Sequence, residues 1–516
     1  MTTPAEMALI QPPVGGLNWR KPATSLDPTE ALHLENILPR PSSGELRHGY
    51  KEFAVNLNGA VRSIMSYKGL TRAEDRLFAV NDTGEVYDVT SGGDTHEAAA
   101  TIVGDGVVNY TNSTTLDNSY LCVVSESGGY WTFSPSSGWE KQDLTGDAAD
   151  KSFSAIFKWK DRIWLIGTGS TKAYYLGIGA ITGEASEFDF APILRRGGHL
   201  AYGANWTFDA GYDLSDYFVL VTTQGEVIVY EGTDPGEAST FKLKGVWNVG
   251  QVPDGSRSHT HFGGELMIMS SLGVVPMSRL VNGQVANEYD VASAKIQPIL
   301  EGVFAQYKGQ FGWELTTIYD QAFILLKPPQ RNTGEYVDYV MSTQTGAWAT
   351  VTNMPMSCTV VVDEKLYFGT PNGAVCQGFE GDTDGQKLDG TQGSPIIARY
   401  LGGFQDFDKP GLNKKFTLVR PFFVSSDRPS VLIQVATQYG NTFPSVQALN
   451  ETTSKGATFN VDKWNQCTWT GGVNTYESLT GVNGLGFYGA LNMAFTGLPQ
   501  TQFTSATLMY QTGGVL

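Results

Sequence analysis

His259 and His261, in the stretch HTH, would share one face of a strand, a spacing that metal ligands use. A third ligand is missing nearby, and two loop histidines are ordinarily solvated. Asp382, Asp384 and Gly385 hint at a calcium loop, but the sixth and twelfth positions of an EF-hand would fall on Lys387 and Gly393. That leaves a surface linker as the plainer reading. Gly167-Thr168-Gly169 follows a strand-like run, yet the third glycine of a dinucleotide fingerprint would fall on Lys172, and no βαβ unit surrounds it. A hairpin turn accounts for it. No GxxxxGK[ST], GxSxG or HExxH is present. Carboxylates are plentiful, but no spacing singles out an acid–base pair. Cys122, Cys358, Cys376 and Cys467 are scattered without a CxxC and read as buried free thiols. The sequence therefore predicts no catalytic residue, no metal and no cofactor.

The elements that would position any site are more legible. Residues 216–232 read DYFVLVTTQGEVIVYEG: an apolar run, a tight turn at Gly225 and a second apolar run. β-branched and aromatic content favours strand, and the near-continuous apolar runs imply burial on both faces. The same pattern recurs at residues 75–89, 119–133, 161–176, 264–277, 321–340 and 364–377. Its turns fall at Gly84, Gly128, Gly169, Gly273, Gly334 and Gly373, so there are about seven copies spaced by roughly 40 to 60 residues. A period of about 45 residues is that of four-stranded propeller blades. One hairpin cannot bury both faces alone, whereas several stacked about an axis can. SPSSGW (134–139) and STQTGAW (342–348) each place a glycine turn before a Trp able to pack on the next strand. They resemble the Asp-box of glycan-cleaving propellers, without its Asp.

The expected fold is thus all-β: a β-propeller of six to seven blades over residues 51–390, an N-terminal extended arm over 1–50 and a smaller C-terminal β domain over 391–516. Prolines at 12, 13, 22, 28, 39 and 41 mark the arm. Asp27, Pro28 and Glu30 resemble a helix start, but residues 31–38 read equally well as a strand. After the polar break 381–394, strand-like runs at 396–400, 416–424, 431–437, 486–495 and 506–510 suit a sandwich that caps the propeller or lends it a closing strand.

With 35 Lys and Arg against 52 Asp and Glu, the formal net charge is -17. Such a chain is poorly suited to gripping phosphates, though it suits a wall that DNA must slide past. The N-terminus shows no basic and long apolar signal-peptide regions, and no run approaches the roughly 20 apolar residues of a membrane helix.

The segment PPVGGLNWRKP (12–22), followed by DPTEALHLENILPRPSSGELRHGY (27–50), resembles the N-terminus of the tail nozzle or hub proteins of short-tailed bacteriophages, also called packaged-DNA stabilisation proteins. The matching residues are Pro12, Pro13, Gly15, Gly16, Asn18, Asn36, Pro39, Arg40, Leu46, Arg47, Gly49 and Tyr50. The resemblance implies a structural virion protein rather than an enzyme. It implies a homohexamer below the portal and its adaptor, a channel holding genomic DNA without sequence-specific binding, and contacts to a needle or plug and to tail fibres or spikes. Trp19, Arg20, Arg40 and Tyr50 are the expected anchors for neighbouring subunits or the adaptor. The competing expectation is a carbohydrate-binding or carbohydrate-cleaving propeller, marked by Trp and Tyr with two carboxylates at one mouth. A third is a monomeric cytosolic scaffold.

Overall fold

A computed structural model describes residues 5–513 apart from 95, 210–213, 238, 286, 288, 330–335, 438, 440–442 and 444–473. Each recurring hairpin is the second and third strand of one sheet. Among the described residues there are seven such sheets, at 61–101, 109–142, 145–189, 200–248, 259–276, 314–352 and 358–378, here blades 1 to 7. Their innermost strands all face one axial cavity, so the ring is closed and the chain is a β-propeller. The middle strands are buried on both faces, as their continuous apolar runs require. Arg162–Gly167 and Phe323–Lys327 are buried throughout. Blade 5 has three strands, followed by the helices Met277–Val281 and Gln297–Tyr307.

The turn glycines have a second duty besides reversing the chain. Gly225, at φ +79, lies so close to the strap leading to blade 5 that a Cβ would come within 1.6 Å of the Gly250 carbonyl oxygen. The Val249 amide donates to the Gly225 carbonyl at 2.9 Å. Gly84 meets Ile102 in the same way, and Gly373 meets Leu57. At these three turns the glycine also meets a blade-to-blade strap, which needs a backbone with no side chain, whereas Gly169 meets nothing within 4 Å. In blade 2 the left-handed residue is Gly129, one place after the expected Gly128. Gly334 lies outside the described residues.

The ring is sealed by Tyr50–Ala54, which pairs antiparallel with Val375–Gly378 as the fourth strand of blade 7. Closure therefore comes from the N-terminal side, and the C-terminal strands go elsewhere. Residues 5–50, expected as an extended arm, are strands shared with the C-terminal region. Glu6–Ile10 and Gly44–Leu46 join a seven-stranded sheet built on Lys414–Ser425 and Gln502–Thr512. Glu30–Glu35 is a strand, because it extends blade 6. It bridges Trp348–Thr352 in parallel and pairs with Ala398–Gly402, and the sheet runs on through Ala490–Thr496 and Ser430–Ala436. The two sheets face each other across one apolar core, with Phe423 5.0 Å from Phe495 and Tyr400 5.8 Å from Phe503.

Candidate functional site

Two places concentrate polar side chains inside this framework: the propeller axis, and the joint between the N-terminal segment and blades 6 and 7.

At the axis, every blade contributes its inner strand to a cavity of about 750 Å³. Two of these strands, NYTNST (109–114) and HTHF (259–262), are polar, whereas Val61–Tyr67 and Phe153–Trp159 are largely apolar and buried. A side chain crosses this channel. Arg257, just ahead of blade 5, reaches across it. Its Nη1 meets Glu314 Oε1 of blade 6 at 2.8 Å, and its Nη2 donates to Ser63 Oγ of blade 1 at 2.5 Å and to the Val108 carbonyl beside blade 2 at 2.8 Å. Ser256 adds a bond to Asn109 Oδ1 at 2.5 Å. This bar separates the large cavity from a second one on the other side, lined by Asp105, Glu126, His199, Asp254 and Phe311.

The remaining charges in the large cavity are paired. Lys158 meets Asp161 at 3.0 Å, and Lys160 donates to the Gly232 carbonyl at 2.7 Å. His259 lies flat on Tyr202, ring centroids 4.4 Å apart. Burial, aided by the charge of His261, pushes it down to about 3, so it is neutral at physiological pH. His261 turns away to the Asn205 carbonyl at 2.7 Å, and the two imidazoles do not converge. Among the described residues, no three His, Cys, Asp or Glu side chains cluster as a metal site. Neither cavity is lined by Trp. Gly167-Thr168-Gly169 belongs to a hairpin turn. Cys122, Cys358 and Cys376 are buried free thiols, which burial raises to about 11, 11 and 12, whereas Cys467 lies outside the described residues.

The joint is organised by Arg47, which is fully buried. Its five N–H donors are all used. Nε donates to Asn36 Oδ1, Nη1 to the His48 carbonyl and Asp384 Oδ1, and Nη2 to the Thr352 carbonyl and Asp384 Oδ2, all within 2.7–2.9 Å. The bidentate pair with Asp384 joins residues 337 positions apart. Asp384, expected in a surface linker, is instead 7% exposed and faces Arg47. Burial raises its carboxyl, against the pull of the guanidinium. Asn36 adopts φ +58 and bonds to Thr352 Oγ1 and the Ile397 carbonyl. At Gly49 a Cβ would fall 2.0 Å from the Thr383 carbonyl oxygen. Buried Asn18 donates to Glu30 Oε1 at 2.9 Å. Burial alone would raise Glu30, but bonds from Asn18, Lys295 and Lys21 bring it down to about 2.

The four expected anchors are engaged within the chain. Trp19 donates to the Leu32 carbonyl at 2.7 Å and meets Tyr339 edge-on. Arg20 stacks over Tyr289 at 3.4 Å. Arg40 bonds to the Gln321 carbonyl and Glu45 and lies over Phe323. Tyr50 packs on Phe368, and burial pushes its hydroxyl up to about 12. Sequence reasoning noted Arg47 only as a motif match. Nothing local could reveal Asp384 as its partner. Trp139 packs on Phe78 of blade 1 rather than on the next strand, and Trp348 donates to the Ala292 carbonyl.

No family model matches the chain, and no curated protein does. Solved structures similar to it include the WD40 β-propeller domain of Doa1, at 11% identity and TM-score 0.41, covering 64% of this chain and 96% of that one. The extracellular domain of the hybrid two-component system BT3049 from B. thetaiotaomicron is similar at 11% identity and TM-score 0.41, covering 71% and 49%. BBS1N, in complex with ARL6DN, follows at 10% identity and TM-score 0.28, covering 42% and 64%. The propeller assignment rests on the sheet topology. Among the described residues, no helix is long and apolar enough to cross a membrane.

Proposed function

We propose that the chain is a structural subunit of a ring in the tail of a short-tailed bacteriophage, the nozzle that holds and then conducts genomic DNA below the portal and its adaptor. The Arg47 joint carries this reading. The residues that match the nozzle family in sequence are residues whose types the joint requires: Asn36 at positive φ, Arg47 with five bonds made, and Gly49 pressed on a carbonyl. The motif therefore does structural work in this chain, as the nozzle reading requires.

The Arg257 bar adds a constraint. A duplex whose major groove alone is about 12 Å wide cannot thread a propeller axis crossed by a side chain. DNA conduction by this chain therefore requires a lumen built between copies. A net charge of -17 suits such a wall, since phosphates slide past it without the counterion release that drives binding.

The test is the mass of the purified chain in solution, alone and after mixing with a portal–adaptor complex. Addition of a fixed multiple of the chain, expected to be six, supports the nozzle. A chain that ignores the adaptor and stays monomeric overturns it.

A further inference from the structure

The ring reading leaves open which surfaces meet, and the geometry points to a knob on blade 2 and a socket on blade 4. The knob is Leu116, which is 101% exposed at the tip between the first two strands of blade 2. The tip is locked by its own bonds. The Thr115 amide donates to the Asn118 carbonyl at 2.8 Å, the Asn118 amide donates to Thr115 Oγ1 at 3.2 Å, and Asn118 Nδ2 donates to Ser136 Oγ at 3.0 Å. A leucine held rigidly in water gains nothing for the monomer, and its ordering cost is already met before any partner arrives.

The socket lies on blade 4, beside the short helix after blade 5. Trp206, Tyr217, Val229 and Trp247 wall a cavity of about 90 Å³, with Lys244 and Asn282 as polar neighbours. The Trp247 indole folds back over Gly245, where a Cβ would come within 2.5 Å of it, so this wall depends on the glycine. The volume is far below the roughly 300–1,000 Å³ of small-molecule sites and suits one aliphatic side chain.

We infer that Leu116 of one copy enters this socket on the next, with Asp117 beside it facing Lys244 and Lys242. Asp117, Lys242 and Lys244 are all exposed; Lys244 already pairs with Glu231 at 3.1 Å and lies over Tyr217, so Asp117 would share it with Glu231 beside Lys242. Three other strongly exposed apolar residues fit less well. Ile178 is flanked by Gly177 and Gly179 with no adjacent acid, and Met7 and Leu9 lie on a flat strand face. Knob and socket are different patches, so the contact is head-to-tail: it builds a ring where the rotation between copies closes and an open filament where it does not. A blade 2 tip cannot reach blade 4 of its own propeller.

The experiment uses the full chain, with adaptor present if assembly needs it, and reads mass in solution. Leu116→Asp removes the knob, and Asn282→Trp fills the socket from an exposed position. Each variant alone should lose self-association at least tenfold while keeping its thermal midpoint. Mixed together they should form a dimer that grows no further, since one intact knob meets one intact socket. Asp117→Lys should weaken assembly, and Lys244→Glu in the same chain should restore it. If wild type and both variants assemble alike, this contact is wrong and the ring reading stands. If wild type forms no multimer under any of these conditions, the ring reading falls and takes the contact with it.

Discussion

Asp338 shows how one buried carboxyl sets a pH response. It is 5% exposed in blade 6, and burial, joined by the repulsion of Glu314, outweighs the attraction of Lys327 and Arg47 and pushes it up to about 7. The unfolded carboxyl titrates near 3.9, so the native state holds its proton over a range where the unfolded chain has lost it. Its contribution is complete below about pH 4, falls as pH rises to about 7 and is flat above. At most about 4 kcal/mol is involved. Asp338→Asn, neutral throughout, should flatten the thermal midpoint between pH 4.5 and 7.5 relative to wild type. Parallel curves would contradict the assignment. His259 acts in the opposite sense, losing its contribution as pH falls below about 6.5, so the comparison must be a wild-type minus variant difference.

Single glycines can be ranked in the same way. Gly225→Ala places a Cβ against the Gly250 carbonyl and should destabilise by more than about 2 kcal/mol, because the strap must move. Gly169→Ala meets nothing within 4 Å and should cost only the left-handed backbone, about 1 kcal/mol. Equal losses in chemical denaturation would refute the strap account. That contrast also marks what was readable: turn glycines announced themselves, but which of them press on a strap did not.

At the scale of elements, the middle hairpins were legible because both faces are buried, so their runs are apolar and end at a glycine. Two of the inner strands were not. NYTNST (109–114) and HTHF (259–262) line a wet channel and carry no hydrophobic period. The N-terminal strands were read as an arm because prolines and a helix-like Asp-Pro start dominate locally, while their partners lie more than 300 residues away. The same distance hid the Arg47–Asp384 pair. Arg47→Ala leaves Asp384 buried and unpaired and should cost about 3–5 kcal/mol. Limited proteolysis should then cut the N-terminal segment far faster than in wild type, and unchanged cleavage would show that the joint does not depend on Arg47. Arg257→Ala and Glu314→Gln should couple in a double-mutant cycle by about 0.5–3 kcal/mol, since each leaves the other's charge without its partner across the axis. Additivity would show that the bar is not a unit.

For the whole molecule, a propeller, a sandwich that shares blade 6 and a closing strand from the N-terminal side form one body held by long-range pairing. The ring in which this body would work was never legible from periodicity or charge. It came from a resemblance confined to residues 12–50, and the structure adds the blocked axis, which requires any DNA path to lie between copies. Electron microscopy of the chain assembled on a portal–adaptor complex tests this most directly. The account predicts a closed ring whose central lumen admits duplex DNA, with every propeller axis off the DNA path. Single subunits bound without a ring, or density for DNA along a propeller axis, would contradict it.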